Sequence, residues 1–354
     1  AAELAALIGS QTALSNRNLI INGAMQVAQR GTSVTGVGNT NTFLVDRFRA
    51  KTTSGLIDLS QSTTAPAGFT SSFKIAVGTT NAFGTASDEA YVETLVEAQN
   101  LQHLQYGLST AQKITLSFWV RSSVAGTYGI WFYQDDASKD YEVSYTINSA
   151  DTWEKKSVTV DGNTADAIDN NNESGMRVRW YLDGGSDRRG TISSIWATSN
   201  STSPRLPTGA PAWMNGSNDW YITGVQLEVG ETATPFEHRS YGDELALCQR
   251  FCWVKSSSST DAAFGVGVTG GTSATIVVPH FSEMRTAPTI TFSAASTFIV
   301  VDGVGGMTAT SMTAGTTTAF SSTIVPGYSG GTGGRSGVLR RASGTATITA
   351  DSEL

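Results

Sequence analysis

Apolar residues at every second position, held in short runs between turn residues, constrain this chain more than any other feature. Ile114, Leu116, Phe118 and Val120 point one way while Thr115, Ser117, Trp119 and Arg121 point the other, as a half-buried strand requires. Arg177–Leu182 repeats the pattern, with Val178, Trp180 and Leu182 against Arg177, Arg179 and Tyr181, and Val225, Leu227 and Val229 do so again. Turn clusters at 125–126, 161–163 and 183–185 separate the runs at a spacing that suits an antiparallel sandwich. Composition agrees: 15% of the residues are charged and 37 are glycine, where an average soluble domain carries about 25% charged residues. The fold class read from this is all-β.

The 354 residues suffice for two or three domains with cores of their own. Residues 1–17 read as a short helix, with Leu4, Leu7 and Leu14 on heptad seam positions and Gln11 at the skipped one, a pattern that suits an oligomer axis. Residues 18–240 carry the strand pattern, interrupted by one short helix expected at Leu101–Tyr106, with Asn100 as its cap and Gly107 as its stop. Residues 241–260 are a linking helix and linker. Ser240 and Asp243 form the capping start, and Leu245, Cys248, Phe251 and Cys252 form an apolar stripe that is expected near an oligomer axis or between domains. Residues 256–260 read as a polar linker. From 261 to 354 the chain is rich in Gly, Ser and Thr, with apolar pulses at 275–278, 289–292, 297–301, 319–325 and 345–350 that predict a smaller β-sandwich.

Several function classes are excluded or disfavoured. The net charge is −7 and the 23 basic residues are scattered, Arg335, Arg340 and Arg341 being the nearest to a cluster, so no phosphate-tracking groove is expected. No run of apolar residues is long enough to span a bilayer, and residues 1–10 lack the features of a secretion signal. Two cysteines four apart read as small hydrophobes on a helix, in a chain folded in a reducing cytoplasm.

Candidate chemistry is sparse. His103, His238 and His280 lie in unrelated settings and read as structural, and the pairs Asp135/Asp136 and Asp183/Asp187 sit at apparent turns. The loop 161–173 offers Asp161, Asn163, Asp166 and Asp169 as weak structural-calcium ligands without the EF-hand spacing, and no other metal or cofactor is expected. Aromatics on the polar parity of strands are the stronger signal, because a sugar's C–H face stacks on a ring while nearby polar groups read its hydroxyls. The glycan-binding candidates are Trp119, Arg121, Trp131, Tyr133, Arg179 and Tyr181, with Tyr328 and Arg335 in the C-terminal region.

Taken together, several stretches resemble a known family. NLIINGAMQVAQRG at 18–31 with VDRF at 45–48 resembles the opening of jelly-roll modules in tail-fibre and virion structural proteins of tailed bacteriophages. KITLSFWVRSS at 113–123, preceded by Glu97 and LQHLQYG, is similar to their central motif, as are DWYITGVQLEVG and ATPFEHRSYGDELALCQR within 219–250. The first two stretches also resemble carbohydrate-binding jelly-roll modules of polysaccharide-degrading enzymes. EMRTAPTIT at 283–291 and the final TADSEL resemble the terminal domain of the phage proteins. The resemblance implies a jelly roll at 18–240 and an elongated homotrimeric virion appendage, made in the bacterial cytoplasm, that contacts other tail proteins and host-surface glycan. Within it, Asp46, Arg47, Glu97, Arg121 and Glu228 are expected to make fold-defining polar contacts. The expected function is non-enzymatic glycan binding. Its rivals are a purely structural tail protein and a polysaccharide depolymerase.

Overall fold

The computed structural model describes residues 16–80, 83–259 and 262–354. The helix expected at 1–17 therefore lies almost wholly outside the described residues. The chain divides into two compact units, one running to Glu244 and the other spanning Leu245–Glu353.

The first unit is an antiparallel jelly-roll β-sandwich. Its six-stranded sheet runs Ser33–Val37, Leu56–Ser62, Ser72–Thr79, Asp219–Val229, Ile114–Ser122 and Glu154–Val160. The seven-stranded sheet runs Ala197–Thr198, Lys139–Ile147, Gly126–Gln134, Ser174–Gly184, Glu89–Glu97, Phe48–Thr52 and Thr42–Phe43. The alternation places Leu116, Phe118 and Val120 of one sheet and Val178, Trp180 and Leu182 of the other in one fully buried core. Phe118 meets Trp180 edge to face at 5.8 Å, joining the two layers. Truncating either ring would cost about 3–5 kcal/mol.

In strand Asp219–Val229 the buried parity switches from Trp220 and Ile222 to Val225 and Leu227. A strict period of two forbids this switch, and a bulge supplies it: the register breaks between Thr223 and Gln226, where Gly224 takes φ 61°. A Cβ at Gly224 would lie 2.6 Å from the Phe69 ring, so glycine is required there on both counts.

The short helix expected at Leu101–Tyr106 is instead a 3-10 segment, Ala98–Leu104. It follows directly from strand Glu89–Glu97, leaves Asn100 inside rather than at its start, and ends on a left-handed Gln105. Asp46, Arg47, Glu97 and Glu228 are buried polar groups. Asp46 accepts from the Gln29 N–H at 3.0 Å, Arg47 donates to the Leu95 carbonyl at 2.7 Å, and Glu228 accepts from the Thr234 N–H at 2.9 Å. Arg121, half-buried, instead ties down a loop by donating to the Asp151 carbonyl and carboxylate, each at 2.9 Å.

The α-helix Tyr241–Gln249 starts as its sequence requires. Ser240 Oγ accepts from the Asp243 N–H at 3.2 Å and donates to the Asp243 carboxylate at 2.7 Å. Cys248, Phe251 and Cys252 are buried and Leu245 is half-buried; the two thiols form no disulfide.

The second unit is the smaller β-sandwich. Strands Cys252–Ser257, Ala346–Asp351 and Thr289–Phe292 form one sheet. The other runs Gly306–Thr308, Phe298–Val301, Ser336–Arg341, Ala263–Thr269, Ala274–Pro279, Ser321–Gly327 and Ser311–Thr317. Trp253, Phe264, Ile276, Phe298 and Ile348 lie in its core. Each of the five apolar pulses overlaps a strand, although Thr297 closes a 3-10 turn and residues 319–320 precede their strand. Residues 256–257, read as the start of a linker, close the first of those strands.

Candidate functional site

Register builds a polar outer face on the seven-stranded sheet of the first unit. One row crosses five strands as Arg49, Glu93, Arg179, Trp131 and Glu142. The neighbouring rows carry Tyr91, Tyr181 and Gly129 on one side, and Arg177, Tyr133 and Asp140 on the other. The outward parity expected for Arg179, Tyr181, Trp131 and Tyr133 is therefore correct, yet outward does not mean exposed. Tyr181 is 1% exposed and Trp131 is 6% exposed.

The cover is a strap, residues 185–218, that folds back over this face. Its short parallel ladder joins Arg189–Gly190 to Leu206–Pro207. Leu206 and Ala210 complete a separate apolar cluster with Tyr91, Trp131 and Tyr181. A Cβ at Gly129 would sit 1.7 Å from the Arg205 carbonyl oxygen, so only glycine lets the strap lie this close. Asp183 anchors the strap's ends by accepting from Arg189 at 2.6 Å and from the Met214 N–H at 2.8 Å. That contact is structural, as is the ion pair of Asp135 with Arg177. Asp135 and Asp183, each the first member of a pair that the sequence places at apparent turns, are thus engaged by the fold.

Where the strap stops short, a cleft of about 480 Å³ opens. Trp131, Tyr133, Arg179 and Tyr181 line it, so four of the candidates converge. Arg177, Arg188, Arg205, Glu89 and Ser138 line it too and are not among the candidates. Tyr133, half-buried, stacks on Trp131 at 4.7 Å with the ring planes 18° apart. The Arg179 and Arg205 guanidinium groups stand 4.7 Å and 4.9 Å from the Trp131 ring centre.

Charge holds these side chains in place. Glu93, fully buried, accepts from Arg179 at 2.8 Å and pairs with Arg49 at 2.5 Å. Burial opposes its ionisation, but the two guanidinium groups and their hydrogen bonds outweigh burial and hold its carboxyl below the ordinary value. Arg205 reaches from the strap to Asp140 at 2.9 Å and also pairs with Glu142. Burial, then the like charge of Asp140, pushes Glu142 up to about 7 against the pull of Arg205.

The remaining candidates lie elsewhere. Trp119 and Arg121 belong to the six-stranded sheet. Trp119 is half-buried beside Gly224, and Arg121 lies 5.0 Å from the Tyr221 ring centre. Tyr328, in the second unit, is 5% exposed, and its hydroxyl donates to the Ser273 carbonyl at 2.6 Å, so it is a packing residue. Arg335 lines a separate cavity of about 510 Å³ with Asp302 and Met307.

The four calcium candidates do not converge. Asp161 pairs with Lys113 at 3.2 Å, Asp166 lies 3.9 Å from Lys139, and the backbone N–H of Asp169 donates to Asp136. Asn163, buried, shapes its turn by accepting from the Ala165 N–H at 3.0 Å. Among the described residues no three His, Cys, Asp or Glu side chains are grouped to hold a metal ion. His280 is satisfied on both ring nitrogens, by the Ala319 carbonyl at 3.0 Å and by the buried Ser322 hydroxyl at 2.9 Å. No helix among the described residues is long and apolar enough to cross a membrane.

No family model matches the chain, and no curated protein matches it. Solved structures similar to it include the enzymatically active domain of tailspike protein 4 of bacteriophage CBA120, at 12% identity over 60% of this chain with a TM-score of 0.29. This chain spans 21% of that structure's length. The module TmCBM61, in complex with β-1,4-galactotriose, is 9% identical over 61% of this chain and all of its own, with a TM-score of 0.32. A family 11 carbohydrate-binding module of a Clostridium thermocellum cellulase is 10% identical over 56% of this chain and 99% of its own, with a TM-score of 0.27.

Proposed function

We propose that the chain binds host-surface glycan, without cleaving it, as a homotrimeric tail-appendage protein of a phage virion. The observation that carries the binding reading is the cleft, where Trp131, Tyr133, Arg179 and Tyr181 converge under the edge of the strap. Tyr133 offers a half-buried ring for a sugar's C–H face, and the arginines and Ser138 offer hydrogen bonds around it. The appendage reading is supported by the motif combination at 18–31, 45–48, 113–123 and 219–250. Three copies per appendage would add modest single-site contacts into useful avidity. Against catalysis stands the donor set. Glycoside hydrolysis uses two carboxylates across the scissile bond, and among the described residues Glu89 alone lines the cleft as a carboxylate, paired with Arg188 at 3.3 Å.

The test is attachment of the fluorescent chain to host cells with and without their surface polysaccharide. Tyr133→Ala is expected to weaken attachment while leaving the melting temperature close to that of the parent. Equal attachment to stripped cells would overturn the binding reading, and reducing ends released from the polysaccharide would overturn the non-catalytic one. Sedimentation as a stable monomer at micromolar concentration would remove the trimer.

A further inference from the structure

We infer that the cleft selects an acidic saccharide, whose carboxylates take up unspent hydrogen-bond donors of Arg177 and Arg188. This rests on the glycan-binding reading above and narrows it to one ligand class.

The argument is an account of donors. Each guanidinium carries five N–H donors in a fixed fork. Arg179 directs Nε and Nη2 to Glu93 and Nη1 to the Tyr181 hydroxyl. Arg205 directs Nη1 to Asp140 and Glu142 and Nη2 to the Ser199 hydroxyl and the Asn200 carbonyl. Every nitrogen of Arg179 is engaged, and both terminal nitrogens of Arg205 are.

The other two arginines differ. Arg177 directs Nε and Nη2 to Asp135, and its Nη1 makes no hydrogen bond to a described residue. Arg188 directs Nη1 to the Ser201 carbonyl and makes no other hydrogen bond to a described residue. Its Nε lies 3.3 Å from Glu89 as an ion pair without hydrogen-bond geometry. The Arg188 side chain is only 14% exposed, and its Nε is buried beside the cleft without a hydrogen bond. A largely buried guanidinium with one hydrogen bond is a costly group unless an acceptor meets it.

The acceptors beside these donors are already shared. Glu89 Oε2 takes the Tyr181 hydroxyl at 3.3 Å as well as the approach of Arg188. A neutral sugar hydroxyl brings a proton that needs an acceptor of its own, whereas a carboxylate brings acceptors only and fits the guanidinium fork. Arg177 also lies 5.5 Å from the Tyr133 ring centre, so the ring that can stack a sugar and a donor for its acid group are neighbours. Glu142, held largely protonated below about pH 7, tips the surrounding ion pairs toward positive charge in mildly acid solution.

The experiment is an array of bacterial polysaccharides in which every uronic-acid member is printed beside its carboxyl-reduced, neutral form, probed with the whole chain. Binding to acidic members that falls tenfold or more on carboxyl reduction is expected. Arg188→Gln and Arg177→Gln are each expected to lose roughly tenfold on those members, the scale of one charge-assisted hydrogen bond. Arg177 is the second variant because its side chain is 33% exposed, against 14% for Arg188. Binding that survives carboxyl reduction, or that both variants leave unchanged, overturns the acidic-ligand inference and leaves glycan binding standing. No binding to any member overturns both.

Discussion

Each unit contains a seven-stranded sheet, and their outer faces are opposites. In the first unit the face is a lattice of arginines, carboxylates and aromatic rings, and a strap covers much of it. In the second, one row reads Val338, Val266, Val277 and Thr323, with Val266 61% exposed and Val277 44% exposed. The strands that carry Val266 and Val277, AFGVGVT and ATIVVP, contain no charged residue. The same alternation produced both faces. What differs is whether side chains long enough to reach one another across strands occupy the outer parity. Where they do, each charge fixes the next and a cleft with set walls results; along the valine row they do not, and no lattice of charges forms there.

The largest expected effect tests the charged lattice itself. Glu93→Ala leaves Arg49 and Arg179 facing each other without their shared carboxylate, and denaturant unfolding should show a loss of about 3–5 kcal/mol. Val266→Ala on the other face should stay within about 0.5 kcal/mol of the parent. Comparable losses at the two positions would erase the contrast.

Next comes the strap. Gly129→Ala places a methyl group against the Arg205 carbonyl and should cost about 1–3 kcal/mol. The sharper readout is protease cleavage within 185–218, which should quicken in the variant. Unchanged cleavage would mean that the strap is not held by its approach to Gly129.

The smallest effect is in pH. The ordinary glutamate value is 4.5 and Glu142 is raised to about 7. Between these values the folded chain holds a proton that the unfolded chain has released, so this group's contribution to stability falls as pH rises from 4.5 to 7. Glu93 has the opposite sign. Its value is lowered, so its contribution is present above 4.5 and lost as pH falls below that. Melting curves of Glu142→Gln should therefore lose less stability than the parent between pH 5 and 7. A parallel decline in both would assign the pH response to other groups.

Much of the fold was legible in the sequence because a strand's parity is local. The core positions Leu116, Phe118, Val178 and Trp180 follow from a period of two, and the Ser240–Asp243 cap follows from three residues of spacing. Trp131 and Tyr181 show where that reading stops. Their outward parity was correct, yet Trp131→Ala or Tyr181→Ala would cost stability as well as binding, because a strap distant in sequence buries both rings. Arg188 and Arg205 escaped notice for the same reason. Nothing near either residue signals the sheet that it will meet.

The sequence by itself determined which residues share a face, since alternation and turn chemistry act over a few residues. Tertiary structure decided which faces are covered and which candidates meet. It sent Trp119 and Arg121 to the opposite sheet, Tyr328 into packing contacts, and Trp131, Tyr133, Arg179 and Tyr181 to one cleft. The physical reason is that register, the bulge at Gly224 and the strap's close approach at Gly129 are fixed by contacts between distant segments, and only the folded chain brings those segments together.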